Sequence, residues 1–199
     1  MRSIGVLAVA VILTTGCSGD DGNEAIDAQS EDAAPDAPKG PCWPVEGTTP
    51  GGSLELGTGE FGFEPMPDPL QVVYGSQGGF HMVVNTRVTG MLAGNPSDVS
   101  DPSNPRTRFR AFFVDTGVSV NGAVCPIRLA YKPSAGSTHE LLVSSAILFE
   151  IGYPEHLIFG REIRIEAEVI DAAGTYARDE KTIRCAAPDG WQTMVDAGT

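Results

Sequence analysis

The chain predicts an all-β protein, an antiparallel β-sandwich of about seven to nine strands. Three observations carry the prediction. No segment sustains apolar residues at helical spacing for about eleven residues. Apolar and polar residues instead alternate with period two in one segment after another. Between these segments stand the residues that tight turns require, Asn-Gly, Asp-Ala-Ala-Gly and Pro-rich loops.

Each strand can be read in order. "LQVVY" and "FHMVVNTRV" flank the glycine-rich stretch Tyr74 to His81, and the second places Phe80, Met82 and Val84 on one face. In "RTRFRAFFV", Thr107, Phe109, Ala111 and Phe113 share a dry face, and Arg106, Arg108 and Arg110 share a wet one. "CPIRLAYK" sets Cys125, Ile127, Leu129 and Tyr131 against Arg128 and Lys132. "HELLVSSAILFEI" gathers Leu141, Val143, Ile147, Phe149 and Ile151, and "REIRIEAEVID" sets Ile163, Ile165, Ala167 and Val169 against Glu162, Arg164, Glu166 and Glu168. Asn121-Gly122 is a hairpin signal because both positions of that turn take positive φ. Asp171 to Gly174 suits a second hairpin, and Ala93 to Pro105 is a long loop.

The amino terminus is of a different kind. Arg2 precedes an apolar run, Ile4 to Leu13, that spans only about 15 Å as a helix, too short to cross a bilayer and suited to a signal sequence. Its end, Thr14-Thr15-Gly16-Cys17, resembles the lipobox of bacterial lipoproteins, with Thr14 where that family favours leucine. The resemblance implies cleavage before Cys17 and a lipid such as palmitate on it, anchoring the protein to a membrane of the bacterial envelope, at the outer membrane or cell surface. Ser18 to Lys39 holds seven acids and one lysine, a net charge of −6, and no aromatic residue, so it is expected to remain a disordered, extended tether. The expected organisation is a signal peptide over 1–16, a lipidated cysteine and acidic tether over 17–41, a sandwich over 42–188 and a tail over 189–199. "FGREIRIEAEVIDAAGTYARDEKTI" also resembles the last hairpin of immunoglobulin-like or fibronectin-type modules, which implies that fold and no activity.

Charge and motifs narrow the function. The chain carries 26 acids against 13 Lys and Arg, net −13, which disfavours nucleic acid as a partner. The stretch "YGSQGGFH" lacks the Lys-Ser/Thr of a phosphate loop, the G-x-G-x-x-G spacing and the G-x-S-x-G elbow, so it reads as a turn. His81, His139 and His156 show no ligand spacing, and Asp98, Asp101 and Asn104 fit loop composition better than a calcium loop. No catalytic residue, metal site or cofactor is expected. The leading expectation is a non-enzymatic module that contacts an envelope protein or anionic glycan; the alternative is a loop-built enzymatic or metal-dependent site around 75–81 and 93–105.

Two groups of residues remain as candidates. The row Arg106, Arg108 and Arg110, extended by His81, Asn85 and Arg87 if the two strands pair, would form a basic ligand-binding patch. The competing reading pairs those arginines with Glu162, Glu166 and Glu168 across strands. With Cys17 lipidated in an oxidising compartment, one disulfide is expected among the rest. Cys125–Cys185 is the favoured pair and Cys42–Cys185 the alternative.

Overall fold

The computed structural model describes residues 48–76, 78–122, 124–149, 154 and 157–191, all within the compact unit Lys39–Thr199. The signal sequence, Cys17, the acidic tether, Cys42 and His156 lie outside the described residues. Within them run thirteen strands: Thr49–Pro50 (β1), Ser53–Thr58 (β2), Glu64–Pro65 (β3), Leu70–Gln71 (β4), Val73–Tyr74 (β5), Phe80–Thr89 (β6), Arg106–Phe113 (β7), Ile127–Arg128 (β8), Tyr131–Pro133 (β9), Thr138–Leu141 (β10), Ser145–Leu148 (β11), Glu162–Ile170 (β12) and Thr175–Ala186 (β13).

They form two sheets. The first runs β1-β13-β12-β7-β8, with β4 also on β13; the second runs β3-β2-β6-β10-β9, with β5 and β11 also on β6. Taking β10 and β11 together as one interrupted strand, β2, β6, β10/β11 and β9 occupy the A, B, E and D places. Correspondingly, β7, β12 and β13 occupy C, F and G. This is an immunoglobulin-like sandwich. All pairs are antiparallel except β1 and β4, which lie parallel to β13.

The alternation seen in the sequence decides what lies between the sheets. Phe109, Ala111 and Phe113 of β7, with Ile163, Ile165, Ala167 and Val169 of β12, face Leu56, Met82, Val84, Val88, Leu141 and Ile147 of the second sheet, all buried in one core. Each large side chain of this kind contributes about 1.5–3 kcal/mol through burial. The hairpin at Asp171 forms as expected. Gly174 has φ 82°, and the Asp171 carboxylate accepts the N–H groups of Ala173, Thr175 and, from the opposite sheet's loop, Leu92 at 2.8–2.9 Å. The glycine-rich stretch is a turn. Gly75 N–H donates to Gly79 C=O at 2.9 Å, and Gly78 and Gly79 take φ of 80° and 103°.

Two expected strands and one expected hairpin depart from their reading. "CPIRLAYK" is not continuous: β8 pairs with β7 in the first sheet and β9 with β10 in the second, so the chain changes sheets at Leu129-Ala130. Tyr131 is buried as expected, whereas Cys125 and Ile127 are exposed, because a face defined in one sheet does not persist into the other. "HELLVSSAILFEI" is broken as well. Partner numbers on β6 sum to 227 for β10 and 229 for β11, so two extra residues bulge out between them and Val143 is thrown into solvent. Nor does Asn121-Gly122 close a hairpin. Val120 N–H donates to Ala111 C=O, and the Asn121 side chain bonds Ala111 N–H and Phe109 C=O, extending the edge of β7. Such breaks raise the strand number above the expected seven to nine.

The disulfide expectation is corrected. Cys185 is a free, buried thiol, and Cys125 is disulfide-bonded, so neither Cys125–Cys185 nor Cys42–Cys185 is made. Cys185 belongs to β13 and Cys125 lies two residues before the start of β8, with β12 and β7 between them in the sheet order. Three interstrand steps amount to about 14 Å, twice the roughly 7 Å that a disulfide tolerates between Cα atoms.

Polar groups also cross the core. The Tyr131 hydroxyl lies 3.0 Å from Thr86 Oγ1 of the second sheet and 3.0 Å from Thr107 Oγ1 of the first, and all three residues are buried. Burial pushes the Tyr131 hydroxyl up from 10.0 to about 12. Its neutral form is therefore favoured by folding. The resulting stability is complete below the unfolded value of about 10 and is lost as pH rises toward about 12. Tyr131→Phe should strand two threonine hydroxyls and cost about 1–3 kcal/mol at neutral pH. It should also flatten part of the alkaline loss, and denaturant titrations at neutral and alkaline pH check both outcomes.

Candidate arginine face

The two halves of the expected basic patch lie on opposite sides of the sandwich. β6 pairs with β2, β5, β10 and β11, and never with β7. Hence His81 and Arg87 face outward from the second sheet, while Arg106, Arg108 and Arg110 face outward from the first, with the core between.

On the second sheet Arg87 and Asn85 are already engaged, and His81 lies among apolar neighbours. Glu55, Arg87, Glu140 and Lys132 stand opposite one another across β2, β6, β10 and β9, a row of alternating sign. Arg87 meets Glu55 at 2.7 Å and Lys132 meets Glu140 at 3.3 Å. Phe63 lies over Arg87, 4.4 Å from the guanidinium carbon to the ring centre. Asn85 is buried, donating to Gly59 C=O at 3.4 Å. His81 sits between Val73 and Leu148 on the neighbouring strands.

The first sheet carries the larger charge array. Register places Arg108 opposite Glu168, which is opposite Arg178; Arg110 opposite Glu166, which is opposite Glu180; and Phe112 opposite Arg164. Arg108 donates twice to Glu168 Oε2, at 2.8 and 2.5 Å. Arg110 reaches Glu166 at 2.7 Å and Glu168 at 3.4 Å, and Arg164 reaches Glu166 at 3.1 Å. Glu166 and Glu168 are 8% and 7% exposed although they lie on the outer face, because the arginines cover them. Tyr176 completes the group by donating to Glu168 Oε1 at 3.1 Å. Burial first, and the Glu168 charge second, push its hydroxyl up to about 12. Phe112 is flanked by Arg164 at 5.2 Å and Arg110 at 5.8 Å from its ring centre. Arg108 and Arg110 thus take the carboxylate partners Glu168 and Glu166.

Arg106 behaves differently. It stands opposite Ile170 on one side and Arg128 on the other, so two arginines are cross-strand neighbours at the β7–β8 edge. Neither makes an ion pair among the described residues. On this face Arg106, Arg108, Arg110, Arg128, Arg164, Arg178 and Arg184 stand against Glu162, Glu166, Glu168 and Glu180. Seven minus four leaves +3 on one surface of a chain whose net charge is −13. The excess gathers at Arg106 and Arg128, and Arg128 had no place in the sequence-based row because its strand could not be paired with β7 from the sequence.

The 93–105 loop of the alternative reading is closed by its own donors. Asp98 Oδ1 accepts from Ser100, Asp101 Oδ1 from Ser103, Asp101 Oδ2 from Asn95, and Asn104 Oδ1 from the Asn95 N–H, at 2.6–3.0 Å. These bonds, Ser103 first, hold the Asp101 carboxyl below its ordinary value. They are Asx-type turns that knit the loop. Among the described residues no three His, Cys, Asp or Glu side chains come together as a metal site.

The two kinds of arginine should separate by mutation. Arg108→Ala leaves the buried Glu168 with weakened compensation and should cost about 2 kcal/mol. Arg106→Ala should change stability by no more than about 0.5 kcal/mol, and Arg106→Glu should stabilise by about 0.2–1 kcal/mol through a new pair with Arg128. Urea unfolding of the three variants checks the order. No family model, curated protein or solved structure matches this chain, so the arginine face is read from its own residues.

Proposed function

We propose that the chain is a bacterial envelope lipoprotein, anchored through a lipid on Cys17, whose immunoglobulin-like sandwich is a non-enzymatic binding module for an anionic partner. The partner is an acidic envelope protein or an anionic glycan. One observation carries the binding half of this reading: Arg106 and Arg128 are cross-strand neighbours with no ion pair among the described residues, on a face that is net positive in an acidic protein. Holding like charges opposite each other costs stability, and an anion placed between them would recover it through charge-assisted hydrogen bonds. The overall negative charge opposes anionic partners at a distance, so attraction acts only over short range and is screened by salt.

The anchoring half rests on the amino-terminal sequence. A short apolar run ending in Gly16-Cys17, followed by an acidic tether without aromatic residues, fits a lipidated spacer that carries the sandwich clear of the membrane.

Each half has its own test. In detergent phase partitioning of cell extracts, the parent protein should enter the detergent phase and Cys17→Ala the aqueous one. Finding both in the aqueous phase removes the lipoprotein reading. On immobilised heparin at low ionic strength the protein should be retained despite its net charge and released by salt. The double variant Arg106→Glu, Arg128→Glu should flow through, and equal retention of the two proteins removes the binding reading.

A further inference from the structure

Most outermost strands of the two sheets, among the described residues, are guarded. Among the outermost strands, β1 carries Pro50, β3 carries Pro65, β9 carries Lys132 and Pro133, and β8 carries Arg128 after Pro126. Proline and charge on an edge are the usual means by which a sheet avoids pairing with another chain. β11 has neither. Its residues are Ser145-Ala146-Ile147-Leu148, it pairs only with β6, and Leu148 is 63% exposed.

The hydrogen-bond phase shows what this edge offers. Phe149 N–H donates to Phe80 C=O at 3.0 Å, in register with the β11–β6 ladder, so Ser145 and Ile147 turn their backbone groups toward β6. Ala146 and Leu148 turn theirs outward, where no described residue meets them. The edge is bare because the chain changes sheets. Leu142 N–H donates to Ala130 C=O, the last contact with the strand that covers β10, and residues before Ala130 belong to the first sheet.

We propose that β11 is a homotypic docking edge, through which a second copy of this chain joins its own β11 in antiparallel register centred on Ile147. In that register Ala146 lies opposite Leu148 of the other copy, and each such pair exchanges both backbone bonds. The outward groups of one copy therefore satisfy those of the other with none left over. Small faces large on the outer surface, Ala146 against Leu148, and Ile147 meets its equivalent on the core side. No charge lies on β11, so two copies that each carry −13 bring no like charges together at the seam. Val73 and His81 stand beside Leu148 in the same cross-strand row and extend the surface inward from the seam. This edge lies on the second sheet and does not depend on the arginine face.

Sedimentation velocity of the full chain in detergent should show a concentration-dependent dimer. Ala146→Pro removes an outward N–H that makes no bond among the described residues, and Leu148→Lys places a charge on the seam. Both should raise the dissociation constant by at least about tenfold while leaving the circular dichroism spectrum unchanged. Should the proline variant unfold, the lysine variant decides alone. A mixture of Ala146→Cys and Leu148→Cys proteins should cross-link one to the other, whereas either alone should not. A chain that stays monomeric up to about 1 mM, a dimer that survives Leu148→Lys, or cross-linking in the wrong register overturns the proposal.

Discussion

The Tyr131 hydroxyl, held between Thr86 and Thr107, is where the two sheets are tied by polar contact through an otherwise apolar core. It sits one residue after the point at which the chain leaves the first sheet for the second. A buried hydroxyl is tolerated only when it is satisfied, and here both partners come from different sheets, so the contact exists only when the crossover has been made correctly. Much else follows from that crossover. β8 is left as a short edge beside β7, which brings Arg128 to Arg106. β9 covers β10 but not β11, which has no second strand partner among the described residues.

Outside the core the two sheets treat charge differently. On the second, Glu55, Arg87, Glu140 and Lys132 alternate across four strands and cancel. On the first, arginines outnumber glutamates, and two glutamates are buried beneath the arginines they bind. Such partly buried pairs contribute mainly by preventing the cost of an uncompensated charge. They fix Arg108 and Arg110 as parts of the fold. Arg106 and Arg128 make no such contribution, and this is what sets them apart as candidates for binding.

Closure of the sandwich at its other margin also uses carboxylates. Asp179 of β13 accepts the Leu56 N–H of β2 at 2.9 Å, and Asp68 accepts the Arg184 N–H at 2.8 Å. Each supplies a hydrogen-bond partner to a backbone donor that the strand ladders do not satisfy. Acidity in this domain is therefore partly structural, which explains why a negative chain can keep one positive face.

Period-two alternation by itself determined the all-β class and the inward faces of β7 and β12, and turn residues determined the turn at Gly75–Gly79 and the hairpin at Asp171–Gly174. These are local properties, since side-chain direction in a strand follows from backbone geometry and a turn from the φ values its residues accept. The pairing of Arg108 and Arg110 with Glu168 and Glu166 was also legible, as one of two readings, because facing strands with opposite charges align them. Only the tertiary structure decided which strands are neighbours. That decision separated His81, Asn85 and Arg87 from the arginine row, brought in Arg128, and kept Cys185 apart from Cys125. It also broke "CPIRLAYK" and "HELLVSSAILFEI", which read as single strands in the sequence although the chain crosses between sheets in one and bulges in the other. Alternation records which face of a strand is dry, but not which strand lies beside it, because strand order is set by the packing of the whole core.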